Sequence, residues 1–134
     1  MNAVQALIGF AAWTLLLVIV VVLYRGVRIA GGTPINHWPR GEIAEDDIPF
    51  ARRAADAHAN CVENLPVFAV IVLAAAALNK LDAINGLAPW VLYLRIPQSL
   101  VHLSGTGQAQ VFVRAGFWTA QVVLFVTMLM RIWG

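Results

Sequence analysis

Charge is what this chain has least of. Only 12% of its 134 residues are Asp, Glu, Lys or Arg, and a single lysine, Lys80, stands among nine basic residues. A soluble domain of this size needs a far larger charged fraction to cover its surface, so an ordinary water-soluble fold is excluded. The net charge of +2, with no basic patch interleaved with aromatics, excludes nucleic acid as a partner. One cysteine, Cys61, means no intrachain disulfide. It sits in an apolar helical pattern with no cation one turn away, and so reads as buried apolar filler rather than a reactive thiol.

What is there is apolar. Hydrophobic residues make up 60% of the chain and the mean hydropathy is +0.76. A spanning helix takes ~20 mostly apolar residues, and ALIGFAAWTLLLVIVVVLY, residues 6–24, carries no charge. No basic residue precedes it, it is longer than a signal-peptide core and no A-x-A site follows. It is therefore expected to be a membrane anchor, not a cleaved leader. A polar stretch from about Arg28 to Pro49 follows, with Gly31, Gly32, Pro34 and Pro39 and the acidic run Glu42, Glu45, Asp46, Asp47. It reads either as a functional loop or as a solvated connector.

The second helix is expected from Ile48 or Pro49 to Asn79, longer than the bilayer core and bent at Pro66. Lys80, Asp82 and Asn85 mark a turn. A third helix should cover Ile84 to Leu103, interrupted in character by Arg95 and Pro97. Ser104 to Gly107 turns the chain into a fourth helix ending at Trp133. The fold class expected is all-α: an integral membrane four-helix bundle forming one domain over residues 1–134, with helices at about 5–27, 48–79, 84–103 and 108–133. Arg25, Arg28, Arg40, Arg52, Arg53 and Arg114 fall on one side of such a bundle, and only Lys80 and Arg131 on the other. The positive-inside rule then puts the first and third loops of this multi-pass protein in the cytoplasm and both termini outside, and the scarcity of Lys beside abundant Ala, Val and Arg points to a bacterial inner membrane.

Polar residues at membrane depth face a bundle interior, a cavity or a partner. Here they are clustered. Arg53, Asp56, Asn60 and Glu63 share one face of the second helix, with His58 and Arg52 beside it. On the third helix Arg95, Gln98 or Ser99, and His102 share a face, while Gln121 is a lone polar residue on the fourth. Two readings stay open: Glu63 pairs with Arg95 or Arg53 to hold the bundle, or the stripes line a shared cavity. The spacing suits neither a metal site nor a nucleophile with its base. It suits a small anionic or zwitterionic ligand, with arginines for carboxylates, Glu63 for an amine and Asn60 for an amide.

RAADAHANCVENLPVFAVIVLAA, residues 53–75, resembles the second transmembrane helix of the membrane-associated proteins in eicosanoid and glutathione metabolism, the MAPEG family. RIPQSLVHLSG, residues 95–105, is similar to the third-to-fourth helix region of its bacterial members. The resemblance implies a left-handed four-helix bundle assembled as a homotrimer, binding glutathione as co-substrate between subunits near the cytoplasmic face. It implies a transferase or peroxidase acting on lipophilic electrophiles that arrive from the lipid bilayer. Asn60 and Glu63, with Arg53, match glutathione-contacting positions. Arg95 is the preferred thiolate-stabilising residue, with Tyr93 and Ser99 as further candidates. The sequence departs from the family at Asp56, where catalytic members often carry arginine. The alternatives are a non-catalytic member binding lipid or a partner in the same groove, and a small transporter with Glu63 as its coupling residue.

Overall fold

The computed structural model describes residues 1–134 apart from the surroundings of Gly41. It is all-α, with four helices: α1 (Ala3–Ala30), α2 (Pro49–Ala77), α3 (Ala88–Ser104) and α4 (Gln108–Trp133). Their ends follow local chemistry. Asn2 caps α1 by accepting from the Gln5 N–H at 2.9 Å while Gln5 Oε1 accepts from the Asn2 N–H at 3.0 Å. Pro49 opens α2, where a missing N–H costs nothing. Asn79 adopts φ +55 just past α2, and the Lys80 N–H closes back on the Ala75 carbonyl at 2.7 Å. α3 begins at Ala88 rather than near Ile84, because residues 81–87 are spent on a 3₁₀ turn and a second hydrogen-bonded turn.

The helices alternate in direction. At one end the Ala3 N–H donates to Asn85 Oδ1 at 2.9 Å and Lys80 Nζ donates to the Ile132 carbonyl at 2.6 Å, so both termini meet the short 78–87 turn. At the other end lie the long first loop and the 105–107 turn, where Arg53 Nε near the start of α2 donates to the Leu103 carbonyl near the end of α3 at 2.8 Å. Buried positions on α1 (Ala3, Ala6, Phe10, Thr14, Leu17, Val21) and α4 (Gln121, Phe125, Met128, Ile132) are three or four residues apart. That spacing keeps one face of each helix turned to the core. The core is aromatic where three helices meet: the Phe68 ring lies 5.9 Å from Phe10 and 6.0 Å from Phe125.

α1, α2 and α4 are long and apolar enough to cross a membrane. α3 has 17 residues and falls short of the ~20 expected of a span. It carries Arg95 buried in the bundle and a half-buried Pro97 within the helix. α2 runs unbroken through Pro66.

The long loop is tied down. Arg28 donates to Asp46 at 2.6 Å and to Asp47 at 3.2 Å, and His37 Nε2 sits 2.7 Å from Asp46. Asp47 is buried, accepting from Trp38 Nε1 at 3.0 Å, Tyr24 at 3.2 Å and the Ala44 N–H at 2.9 Å. The Arg28 hydrogen bond, then that of His37, holds Asp46 down to a pKa of about 2. Burial alone would raise Asp47, but its hydrogen bonds from Ala44, Trp38 and Tyr24 and the charge of Arg28 bring it below the ordinary value. A carboxyl lowered from 3.8 to about 2 stabilises the docked loop above the higher value and loses that contribution as pH falls toward the lower. The Trp38 emission, taken as the difference between wild type and Trp38→Phe, should therefore keep its buried maximum from neutral pH to about 4 and shift to the red between about 4 and 2. Emission unchanged down to pH 2 would show that these carboxylates do not hold the loop.

Candidate functional site

α4 supplies no buried residue between 108 and 120, and its first half leaves a groove against α2 and α3. This cavity of ≈ 400 Å³ is lined by Asn60 and Glu63 of α2, Gln98 and His102 of α3, and Val111, Arg114, Ala115 and Trp118 of α4. Behind its wall lies a buried polar chain. Gln121 Nε2 donates to Gln98 Oε1 at 2.7 Å, and Gln98 Nε2 donates to Asn60 Oδ1 at 3.3 Å. Arg95 Nη1 donates to the same Asn60 oxygen. With Oδ1 taken twice, the amide of Asn60 is fixed and its Nδ2 is the end left for the groove.

Arg95 is fully buried, with its guanidinium 5.1 Å from the Phe10 ring. Its Nε and Nη2, and Gln121 Oε1, have no hydrogen-bond partner among the described residues. No carboxylate pairs with Arg95: among the described residues Glu63 makes no ion pair, and Arg53 is engaged by Leu103. The Glu63 pairing allowed by the sequence is not formed. Glu63 is exposed on the groove wall, facing a lining that includes the Arg114 guanidinium, whose Nε is buried and unpartnered among the described residues.

The residues singled out in the sequence separate into four places. Asn60 and Glu63 line the groove, and Arg95 stands one step behind it. Arg53 and Asp56 line a neighbouring cavity with Arg52. Ser99 faces the other side of α3, where its hydroxyl accepts from Trp13 Nε1 at 3.1 Å, donates to the Arg95 carbonyl at 3.0 Å and lies 3.7 Å from buried Cys61. Tyr93 is exposed on the outer face of α3 beside Trp90, ring centroids 5.7 Å apart, away from this groove within the chain. Two further residues belong to the site. Gln121 is not a lone polar side chain but the inner end of the buried chain, and an amide inside an uncharged run was the signal for it. Arg114, one of the cations that orient the bundle, is the groove's own guanidinium.

On the lipid side a second, almost wholly apolar groove of ≈ 720 Å³ runs between α3 and α4, past Trp90, Leu94, Phe112, Gly116 and Val123. Ala115 lines both grooves, so polar and apolar spaces meet there. Fold and site together define a polytopic α-helical membrane protein whose bundle encloses a polar groove opening beside an apolar one. The MAPEG family model matches residues 3–133, nearly the whole chain, and the protein belongs to that family. It is thus a membrane protein of the glutathione and eicosanoid metabolism group. No curated protein and no solved structure gives a significant match.

Proposed function

We propose that this chain is a membrane-embedded glutathione-dependent transferase or peroxidase for lipophilic electrophiles. The observation that carries the reading is the junction at Ala115 of a charged, amide-lined groove with an apolar one. Glutathione brings carboxylates, an ammonium group and a thiol. Glu63 suits the ammonium, Asn60 Nδ2 donates to a carbonyl or carboxylate, and Arg114 offers a fork to the developing thiolate. His102, the groove's imidazole, takes the thiol proton. The thiolate then attacks the electrophile held in the apolar groove, forming a carbon–sulfur bond as the leaving group departs with its electron pair. Proximity and anion stabilisation are the chain's contribution. Arg95 does not line the groove, so its role is positioning: it sets the Asn60 amide.

The same reading places the long loop and the 105–107 turn in the cytoplasm, the termini outside, and the chain in a homotrimer that closes the groove's open side. The deciding experiment is isothermal titration of the detergent-purified protein with glutathione, repeated on Asn60→Asp and Glu63→Gln. Asn60→Asp keeps the acceptor for Arg95 but removes the donor. It should weaken binding about tenfold, the value of a hydrogen bond to a charged group. No binding by wild type would sink the proposal. Binding without turnover of any model electrophile would favour a non-catalytic family member that holds its ligand in the same groove, the reading to which Asp56 lends support.

A further inference from the structure

The first two turns of α2 carry a second polar cavity that the glutathione groove does not use. It encloses ≈ 300 Å³ and is lined by Pro49, Arg52, Arg53, Asp56 and Thr106. Arg53 Nε donates to the Leu103 carbonyl at 2.8 Å, which fixes the guanidinium and leaves its two terminal nitrogens without a hydrogen-bond partner among the described residues. Arg52 and Asp56 are exposed and make no hydrogen bond or ion pair among the described residues. Ile48 gives α2 no side-chain cap, so the N–H groups of its first turn add to the positive side of the cavity. A bare anion here would face the Asp56 carboxylate, and a bare cation would face two guanidinium groups. The lining matches a ligand that carries both charges.

Depth narrows the choice. The 29 residues of α2 extend ~44 Å against a hydrocarbon core of ~30 Å. The surplus puts the turns carrying Arg52, Arg53 and Asp56 at the level of lipid headgroups, and Ile48 and Phe50 beside them are exposed apolar residues. We propose that this cavity holds a phosphoethanolamine group, independently of whether glutathione binds in the groove. The phosphate lies against Arg52, Arg53 and the Thr106 hydroxyl, and the primary ammonium donates to Asp56. A choline group has no N–H for that carboxylate, and a glycerol headgroup has no cation for it. Asp56 thereby gains a function at the position where the family resemblance calls for arginine.

Native mass spectrometry of the detergent-purified full-length chain tests this, with dimyristoyl phosphatidylethanolamine, phosphatidylcholine and phosphatidylglycerol added in equal amounts. The ethanolamine lipid should be retained about fivefold over either competitor, as one exposed charge-assisted contact allows. Asp56→Asn should erase that preference without lowering the melting temperature, and Arg52→Gln with Arg53→Gln should weaken retention of all three lipids. Soluble O-phosphoethanolamine distinguishes the sources. Displacement of the lipid assigns the site to the free headgroup chemistry, and failure to displace a preferred lipid assigns it to the membrane-borne form. Preference for phosphatidylglycerol, equal retention of ethanolamine and choline lipids, an unchanged preference in Asp56→Asn, or displacement by glutathione would each overturn the proposal.

Discussion

Arg114→Gln should leave the protein folded and lower glutathione turnover by about two to three orders of magnitude, the loss typical of removing one pre-aimed stabiliser of a developing anion. Arg114 is half-buried on the groove wall, and the described residues give its Nε no partner, so the fold does not depend on it for a bond. Arg95 gives the opposite pattern. It is fully enclosed, and among the described residues two of its guanidinium nitrogens have no hydrogen-bond partner and no carboxylate forms an ion pair with it. Keeping an unpaired charge buried is costly, and an apolar side chain of similar length removes that cost while giving up the bond to Asn60. Arg95→Met should therefore match or exceed wild type in melting temperature. It should also weaken glutathione binding, because Asn60 keeps only the longer of its two restraints, the Gln98 bond at 3.3 Å. Turnover at saturating glutathione separates the two variants. Arg114→Gln loses kcat, whereas Arg95→Met raises KM and retains most of kcat. If Arg95→Met lost kcat as heavily as Arg114→Gln, Arg95 would be the thiolate's partner and the groove would have to open to it.

The apolar runs were legible because lipid imposes length: three helices long enough to span follow from hydropathy alone. Their buried faces were legible in part. The face of α2 carrying Asn60 and Glu63 was readable from spacing, yet spacing could not show that the stripe divides, with Arg53 and Asp56 serving one cavity and Asn60 and Glu63 another. That division depends on where the 105–107 turn sets Thr106 and the start of α4, a tertiary fact. The same limit hid the partner of Arg95. Its side chain is on the expected helix and near the expected residues, but whether it lines a cavity or backs one is decided by which way α3 is rolled. Tyr93 and Arg95, two residues apart, take opposite sides of that roll, one 49% exposed and the other 0%. The loop between α1 and α2 concealed its anchoring for another reason. Asp46 and Asp47 lie in an acidic run that reads as solvated, and only the return of Arg28 and Trp38 to the same point makes one of them a buried acceptor.

Phe68→Ala should destabilise the bundle by about 3 kcal/mol, near the lower end of the range for removing a buried aromatic ring. Between helices in a bilayer, lipid tails are as apolar as the core, so transfer out of water drives little of the association and close packing carries it. Phe68 is fully buried and its ring touches α1 through Phe10 and α4 through Phe125, so deleting it loosens two interfaces at once. Val70, on the same helix, is 65% exposed toward lipid. Val70→Ala exchanges one lipid contact for another and should stay within about 0.5 kcal/mol of wild type. Phe68→Leu, which keeps most of the volume, should cost less than about 1.5 kcal/mol. Unfolding by denaturing detergent, followed by helical circular dichroism, ranks the three variants. Equal losses for Phe68→Ala and Val70→Ala would mean that the chain is held by the membrane's constraint on each helix separately. A loss confined to Phe68 would instead locate the stability of the fold where α1, α2 and α4 cross, just below the polar chain that positions Asn60.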